Sequence, residues 1–238
     1  MYGEKDIAFP YKPPSDQLIS RYKYIFQMKQ PIKFPLTKRI FDVIISLMFI
    51  ILAAPILLLI FISYKIEGLI DRSCSGNIIF FYWAISQGKR FKKYKIRLVK
   101  KQYFIEPFAS NNDWRGFTSE WVQENQTLTG KYVKKFYMDE LPQFFSILKG
   151  DMSLIGPRPL AEIHYERDFA QGNIVRRILR GGLLGLGHIK KGTMQMGDPI
   201  YEYEYADAII NKGALSMLFF DITILYKGFL LIIKGGGH

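Results

Sequence analysis

The longest apolar stretch of the chain runs from Val43 to Ile62, VIISLMFIILAAPILLLIFI, and contains no charged residue. About twenty such residues in a helix match the thickness of a bilayer's hydrocarbon core. Pro55 lies inside the stretch, where it removes a backbone donor and its ring clashes with the preceding turn. We therefore expect a membrane-embedded helix with a kink or break near Ala53 and Ala54.

Basic residues flank this stretch on both sides: Lys33, Lys38 and Arg39 before it, and Lys65, Arg72 and the basic run from Lys89 to Lys95 after it. Positive charge marks the cytoplasmic side of a membrane, so a single spanning helix would leave one flank on the wrong side. A re-entrant helix over residues 38–64, broken at Pro55, returns both flanks to the same face. A plain spanning helix with a tolerated proline is the alternative.

Beyond the apolar stretch the pattern becomes typical of strands. Asn77–Trp83 is aromatic and β-branched, and Phe91–Val99, FKKYKIRLV, alternates apolar and basic residues. The intervening SQGKR is typical of a turn. This predicts a β-hairpin that presents Lys93, Lys95 and Arg97 on one face. A solvated charged face is the other interpretation of that row.

Asp139 and Glu140 stand in front of the next predicted helix, within YMDELPQFFSILKGDMSLIGPRPL. Pro142 suits a first helical turn and Gly150 a C-terminal stop. The two carboxylates then lie at a helix N-terminus, where the dipole favours negative charge and exposed amides can receive a phosphate. An ordinary acidic cap is the alternative. The following loop holds Arg158 between two prolines, which predicts a rigid phosphate clamp.

The remaining segments complete an α+β prediction. Leu215–Ile233 is apolar but interrupted by Asp221 and Lys227, which favours a helix in the membrane interface or, equally, a buried helix. Phe104–Thr129 predicts a loop with one short helix near Glu120. The polar, proline-rich residues 1–37 predict a flexible or surface-lying extension. The division is thus an extension over 1–37, a re-entrant membrane helix over 38–64 and a small cytoplasmic α/β domain over 65–238.

Composition narrows the possible partners. The net charge of +12 in 238 residues indicates an anionic partner, such as a phospholipid surface, a phosphorylated small molecule or nucleic acid. Nucleic acid is disfavoured, because a bilayer-length apolar run interrupts the basic residues and no nucleic-acid module is recognisable. Cys74 is the only cysteine, which excludes an internal disulfide and fits a reducing compartment. The three histidines are scattered, which disfavours a histidine metal site.

These motifs together resemble the bacterial sugar transferase family, the monotopic phosphoglycosyl transferases. The resemblance is strongest over DELPQFFSILKGDMSLIGPRP. It extends to KRIFDVIISLMFIILAAPILLLI, which is similar to the family's re-entrant helix, and to YKIR at 94–97. Weaker similarity continues through RRILRGGLLGLGHIKKG and FFDITILYKGFLLIIKGGG.

The resemblance implies transfer of a sugar phosphate from a UDP-sugar to polyprenyl (undecaprenyl) phosphate at the bacterial inner membrane, with the catalytic domain facing the cytoplasm. Asp139 would be the nucleophile and a Mg²⁺ ligand, and Glu140 would assist either the metal or the proton of the second acceptor. The resemblance also implies a set of cations that receive phosphate oxygens: Lys95, Arg97, Lys134 and Arg158.

Several residues depart from the family's pattern around the substrate. Lys134, Tyr137 and Met138 stand where members commonly have an arginine and a Ser-Leu pair, and GGLLGLGHIK stands where a Pro-Gly-Ile-Thr-Gly run is usual. Ala54 replaces a serine before Pro55. A catalytically impaired, membrane-tethered member that binds nucleotide sugars or acts as a scaffold is therefore the alternative function.

Overall fold

The computed structural model describes residues 11–103, 120, 122–190 and 193–233. Its α-helices are α1 Asp16–Arg21, α2 Lys23–Phe26, α3 Leu36–Ile70, α4 Leu128–Lys135, α5 Gln143–Lys149, α6 Glu162–Ala170, α7 Val175–Ile178, α8 Ile200–Asn211 and α9 Ala214–Ile233. Its strands are β1 Ile79–Ser86, β2 Lys89–Ile96, β3 Ser153–Ile155, β4 Leu160–Ala161 and β5 Gly182–Leu184. The predicted mixture of helix and sheet is confirmed. Of the predicted loop Phe104–Thr129, residues 104–119 and 121 lie outside the described residues.

The predicted membrane helix is α3, which is 35 residues long and passes through Pro55 as one helix. At 1.5 Å per residue it is about 52 Å long, more than the ~30 Å of a hydrocarbon core. Its most apolar window has a mean hydropathy of 3.1 and is only 17% buried, so it is not the core helix of a soluble domain. This supports membrane association, whereas the predicted break at Pro55 is not confirmed and re-entry stays a prediction.

The chain packs as two units. The first comprises Met1–Arg39, Ile85–Lys89 and Met152–His238, and the second comprises Ile40–Ala84 and Arg90–Asp151. The predicted boundaries at residues 37 and 64 concern the division between membrane and cytoplasm, and they stay a prediction.

The second unit is built around the C-terminal half of α3. Apolar residues of α3, the hairpin and α4 form one buried cluster: Ile60, Tyr64, Ile78, Ile96, Leu98 and Val133. The Glu67 carboxylate caps α4, because it accepts hydrogen bonds from the backbone N–H groups of Leu128 at 2.6 Å and Thr129 at 3.0 Å. The end of the apolar helix is thereby joined to the start of the helix that leads to Asp139.

Strands β1 and β2 form the predicted hairpin, in a three-stranded sheet with the order β2-β1-β4. Its turn residues Gln87 and Gly88 both have positive φ, at 52° and 71°. Two such residues match the twist of an antiparallel pair, as in type I′ hairpin turns. The hairpin prediction is confirmed, with strands shifted by a few residues from the predicted ones.

In the first unit, β3 and β5 pair in parallel, with Ser153 opposite Gly182 and Ile155 opposite Leu184. Helix α9 packs against this pair. Its buried residues include Met217, Asp221 and Ile224. Its remaining surface is largely exposed and apolar, since its most apolar window is only 22% buried. Helix α9 is therefore not enclosed in the unit, and its position in the membrane interface stays a prediction.

The start of α3 is bound to α9 within the first unit. Lys38 Nζ lies 2.7 Å from Asp221 Oδ2, with both side chains almost completely buried. Tyr205 donates its hydroxyl to Asp221 Oδ1 at 2.7 Å. The charged residue that interrupts the C-terminal apolar segment thus has a buried partner, as a buried charge requires.

The described part of the N-terminal extension is ordered and packed. Tyr22 and Phe26 stack on Tyr203 of α8 at centroid distances of 6.1 and 4.4 Å. The backbone N–H of Ile32 donates to Ile178 O at 2.8 Å. Leu18 and Ile25 are buried. Of the two interpretations, a flexible or a surface-lying extension, these contacts favour the second for the described residues, because they carry their own apolar anchors.

Candidate active site

The row of cations formed by Lys93 and Lys95 of β2 and by Arg97 directly after it faces inward. Lys93 and Arg97 are each 1% exposed, and the Lys95 side chain is 12% exposed. Residues two apart on a strand share a face, so the three lie on the same side of the hairpin, as predicted. The interpretation as a solvated charged face is wrong. Since burying charges is costly without partners, each cation needs its own compensation.

Lys95 is compensated by two carboxylates. Its Nζ lies 2.8 Å from Asp139 Oδ2 and 3.9 Å from Glu120 Oε2. The three side chains are each only about a tenth exposed, at 12%, 8% and 13% for Lys95, Asp139 and Glu120. The structure therefore brings the predicted nucleophile and one predicted phosphate-binding cation into direct contact, close to the surface of the second unit.

Local backbone geometry presents Asp139. Helix α4 ends at Lys135, and Tyr137 then adopts a left-handed conformation with φ 55° and ψ 23°. A short 3₁₀ turn, Met138–Glu140, follows directly and carries Asp139 into the site. This left-handed residue costs free energy in a non-glycine position, so the surrounding packing must hold it. Glu140 occupies the same turn and is partly exposed.

The predicted helix after the carboxylates is confirmed as α5, Gln143–Lys149, which follows Pro142 and ends at Gly150 with φ 89°. Phe144 and Ile147 supply its buried face. Phe144 also stacks on Phe49 of α3, with ring centroids 5.1 Å apart. The carboxylate turn is thus held between two helices, and one of them contacts the apolar helix.

Electrostatics keep Lys95 a cation. Burial alone lowers the pKa of Lys95, but the charges of Asp139, Glu120 and Glu140 outweigh burial and raise the pKa overall. Burial raises the pKa of the Glu120 carboxyl, and Lys95 opposes this rise. Burial also lowers the pKa of Lys134, which Glu120 opposes. A buried site with one ammonium and several acids responds strongly to any added charge.

Glu120 was not predicted as a site residue. Its backbone carbonyl accepts hydrogen bonds from the Lys134 ammonium and from Gln126 Nε2, the latter at 2.6 Å. Lys134, predicted to bind phosphate, thus lies beside the site and contacts the chain at Glu120. The sequence offered no signal that distinguishes Glu120, because the same segment also contains Glu106, Asp113 and Glu124.

Arg97 has a different environment from Lys95. Its guanidinium donates to four backbone carbonyls, those of Asn77 at 2.8 Å, Val99 at 2.7 Å, Cys74 at 2.7 Å and Ser75 at 3.1 Å. It therefore fastens the segment after α3 to the end of the hairpin. A role in phosphate binding stays a prediction, and it would require Arg97 to exchange these partners.

Arg158 belongs to the first unit. Its Nη1 lies 3.5 Å from His188 Nε2, and its backbone carbonyl accepts a hydrogen bond from Arg176 Nε at 3.0 Å. Arg158 is partly exposed, as a phosphate-binding side chain must be. Sequence reasoning missed both His188 and Arg176 as its neighbours, because each comes from a separate segment of the chain.

Few side chains near Asp139 could coordinate a divalent cation. Among the described residues, no three His, Cys, Asp or Glu side chains are grouped to hold a metal ion. Asp139 and Glu120 do share a cation, the Lys95 ammonium. Mg²⁺ in phosphate-handling enzymes is held by one or two carboxylates together with substrate phosphates. The pair Asp139 and Glu120 fits that limited requirement.

The chain matches the model of the bacterial sugar transferase family over residues 34–235 and therefore belongs to this family. This confirms the resemblance drawn from the DELP and GPRP motifs. The matched residues include Asp139, Glu120 and Lys95 but exclude the N-terminal residues 1–33.

Among its relatives, the chain is 29% identical over 211 residues to an undecaprenyl-phosphate galactose phosphotransferase of Salmonella typhimurium, with 84% of this chain and 41% of the relative covered. It is 31% identical over 206 residues to a UDP-glucose:undecaprenyl-phosphate glucose-1-phosphate transferase of Klebsiella pneumoniae, with 83% and 40% covered. It is 32% identical over 164 residues to the exopolysaccharide production protein ExoY of Sinorhizobium fredii, with 65% and 69% covered. The chain thus spans about two fifths of the length of the first two relatives.

Proposed function

We propose that this protein transfers a sugar 1-phosphate from a UDP-sugar to undecaprenyl phosphate, the initiating step of a surface glycan or glycoconjugate pathway. The observation that carries the proposal is the ion pair between Lys95 and Asp139, 2.8 Å long and nearly buried, within the family's own motif. The names of the Salmonella and Klebsiella relatives support the donor and acceptor classes.

In the proposed first step, an Asp139 carboxylate oxygen attacks the sugar-bearing phosphorus of the UDP-sugar. The new bond joins Asp139 to that phosphorus, and the bond from the phosphorus to the oxygen that bridges it to UMP breaks. UMP leaves with the electron pair. Covalent catalysis of this kind divides one difficult displacement into two easier ones. Lys95 holds the attacking carboxylate in a single orientation, since its ammonium is in direct contact.

In the second step, an oxygen of undecaprenyl phosphate attacks the same phosphorus and Asp139 is released. The acceptor is a membrane lipid, so the site must lie close to a bilayer. The contact of Phe144 with Phe49, and the Glu67 cap on α4, join the site to α3 and support that placement. We place α3 in the bacterial inner membrane as a re-entrant helix, with the catalytic domain in the cytoplasm.

The phosphates of donor and acceptor require cations. Lys95, Lys134 and Arg158 supply ammonium and guanidinium donors, which bind phosphate oxygens as charge-assisted hydrogen bonds. When bound, Mg²⁺ would neutralise the diphosphate oxygens, and Asp139 and Glu120 would hold it. Glu140, in the same turn, assists either the metal or the proton of the second acceptor.

An impaired, nucleotide-sugar-binding member is the second candidate function. It is favoured by Tyr137 and Met138 directly before Asp139, where the family's pattern differs. Retained UDP-sugar binding without UMP release would support it.

The test is UMP release from a panel of UDP-sugars by the full chain in lipid nanodiscs with Mg²⁺ and undecaprenyl phosphate. Three proteins are compared: the native chain, Asp139→Asn and Asp151→Asn. Asp151 is a matched control, because it follows the same helix and its ion pair within the described part of the chain is with the exposed Lys149, at 3.6 Å. We expect release with at least one donor, abolished by Asp139→Asn and unchanged by Asp151→Asn. No release from folded native protein would favour the impaired alternative.

A further inference from the structure

A buried group of charges in the first unit centres on Arg176, a residue with no role in the proposed chemistry. Arg176 Nη1 lies 2.7 Å from Asp168 Oδ2, and Nη2 contacts Glu202 Oε1. The Arg176 and Asp168 side chains are each 1% exposed, and that of Glu202 is 8% exposed. Removing three charges from water is costly, so each of them requires close partners.

The third nitrogen of the same guanidinium is directed at the arginine loop. Arg176 Nε donates to the backbone carbonyl of Arg158 at 3.0 Å. All three guanidinium nitrogens are therefore engaged, and their planar geometry is fixed by the two carboxylates. The carbonyl of Arg158 is thus held by a rigid donor, while the prolines on either side restrict its dihedral angles.

The N-terminal segment closes this group of charges. Arg176 Cζ lies 4.4 Å from the ring centroid of Tyr11, within cation–π distance. Lys12 fastens the segment, because its backbone N–H donates to Gly197 O at 2.9 Å. Tyr11 and Lys12 precede residue 34, where the match to the family begins. This closure is therefore a property of the chain outside the matched residues.

We propose that Arg176 is a positioning residue that sets the direction of the Arg158 side chain, and that Tyr11 holds Arg176 in place. The inference rests on the proposed function, in which Arg158 binds phosphate oxygens of the substrate. A backbone fixed at its carbonyl directs a side chain toward one region, and misplacing a phosphate donor by about 1 Å can cost up to ~100-fold in rate.

The informative substitution is Arg176→Lys. A lysine keeps the positive charge for Asp168 and Glu202, but it lacks the Nε donor that reaches Arg158. In UMP release by the full chain in nanodiscs, we expect Arg176→Lys to lower kcat/KM by about 10-fold, a typical loss for one misdirected charged donor. Tyr11→Leu should lower it in the same direction but less. Tyr24→Phe is the matched control, since Tyr24 also lies in the N-terminal segment, and its hydroxyl donates to Asp207 Oδ1 and accepts from Asn211 Nδ2, both outside the Arg176 group.

A merely structural role is separated by a double-mutant cycle with Arg158→Met. If Arg176 acts through Arg158, adding Arg176→Lys to Arg158→Met should change kcat/KM by less than about 2-fold. The same loss in both backgrounds would overturn the inference and leave the proposed function intact. The Kd for UDP is also measured for each protein of the cycle, because binding can be measured without turnover. Absence of UDP binding to the native chain would overturn both proposals.

Discussion

Two groups of side chains in this protein each contain one cation, one aspartate and one glutamate, but they differ in exposure and in how closely the charges are paired. Each places one cation between two carboxylates: Lys95 between Asp139 and Glu120, and Arg176 between Asp168 and Glu202. In the first, the side chains are about a tenth exposed and the second carboxylate stands at 3.9 Å. In the second, the cation is 1% exposed and both carboxylates are in direct contact.

The difference follows from the cation. An ammonium is a compact charge on a flexible stem with three rotatable donors, so it can release one partner and take another. A guanidinium in a planar fork is fixed by its partners and exchanges them poorly. The lysine group therefore suits a site where a carboxylate must react and phosphates must enter. The arginine group suits a permanent support for the backbone.

The largest effect expected from this comparison is on stability. Arg176→Met leaves two buried carboxylates without their cation, and we expect the free energy of unfolding to fall by about 3–5 kcal/mol. Urea-induced unfolding followed by tryptophan fluorescence measures this. Arg177→Met is the matched control: Arg177 is exposed and contacts the Phe169 ring at 5.8 Å, so its loss should cost about 0.5 kcal/mol or less. Equal effects of the two substitutions would show that the arginine group is not a support.

Lys95→Met should lower catalytic activity more than it lowers stability. It removes the cation that contacts the nucleophile, so we expect kcat/KM for UMP release to fall about 10²–10³-fold. The unfolding free energy should fall less than for Arg176→Met, because the side chains around Lys95 are about a tenth exposed, whereas those of Arg176 and Asp168 are 1% exposed. Lys92→Met, on the exposed face of the same strand, serves as the control. A fully active Lys95→Met protein would contradict the assignment of this group to catalysis.

Glu120→Gln tests whether Glu120 coordinates Mg²⁺. If Asp139 and Glu120 hold Mg²⁺ together, removing one charge should raise the Mg²⁺ concentration for half-maximal activity by about 10-fold. Titration of Mg²⁺ at saturating UDP-sugar gives that concentration. An unchanged requirement for Mg²⁺ would limit Glu120 to pairing with Lys95.

A further expected effect is a pH dependence of stability. Burial raises the pKa of Glu202 from its ordinary value of 4.5 to about 7, with Arg176 opposing and Asp168 adding to the rise. The folded chain therefore binds this proton more tightly than the unfolded chain. The resulting stability is fully present below pH 4.5 and is lost as the pH rises through about 7. Glu202→Gln should flatten the decline in unfolding free energy between those pH values, and a slope identical to that of the native chain would contradict the shift.

Local sequence predicted the parts of the site that lie next to each other on the chain. The alternation of YKIR predicted one face for Lys95 and Arg97, and Pro142 and Gly150 marked the helix behind Asp139. Glu120 could not be predicted in this way, because only tertiary packing brings it to Lys95. The burial of Arg97 depends on carbonyls contributed by the chain after α3, which no local pattern reveals.

The same limit applies to the fold. Hydropathy predicted α3, but a broken helix was expected at Pro55, and the structure retains one helix across it. A helix tolerates proline where neighbouring groups satisfy the freed carbonyl, which depends on surroundings rather than on sequence spacing. The packing of Tyr22 and Phe26 on Tyr203 joins segments about 180 residues apart, which a reading of the first 37 residues alone could not provide.

The buried pair Lys38–Asp221 joins residues that the ribosome adds at different times. Its partners are 183 residues apart, so at ~5–20 residues per second the ribosome adds Asp221 roughly 10–40 s after Lys38. The Lys38 ammonium therefore lacks this buried partner until Asp221 has been synthesised. Lys38 lies in the first turn of α3, so the rest of this helix is synthesised before the residue that binds its start. The start of α3 is thus fastened only after the whole helix has been made.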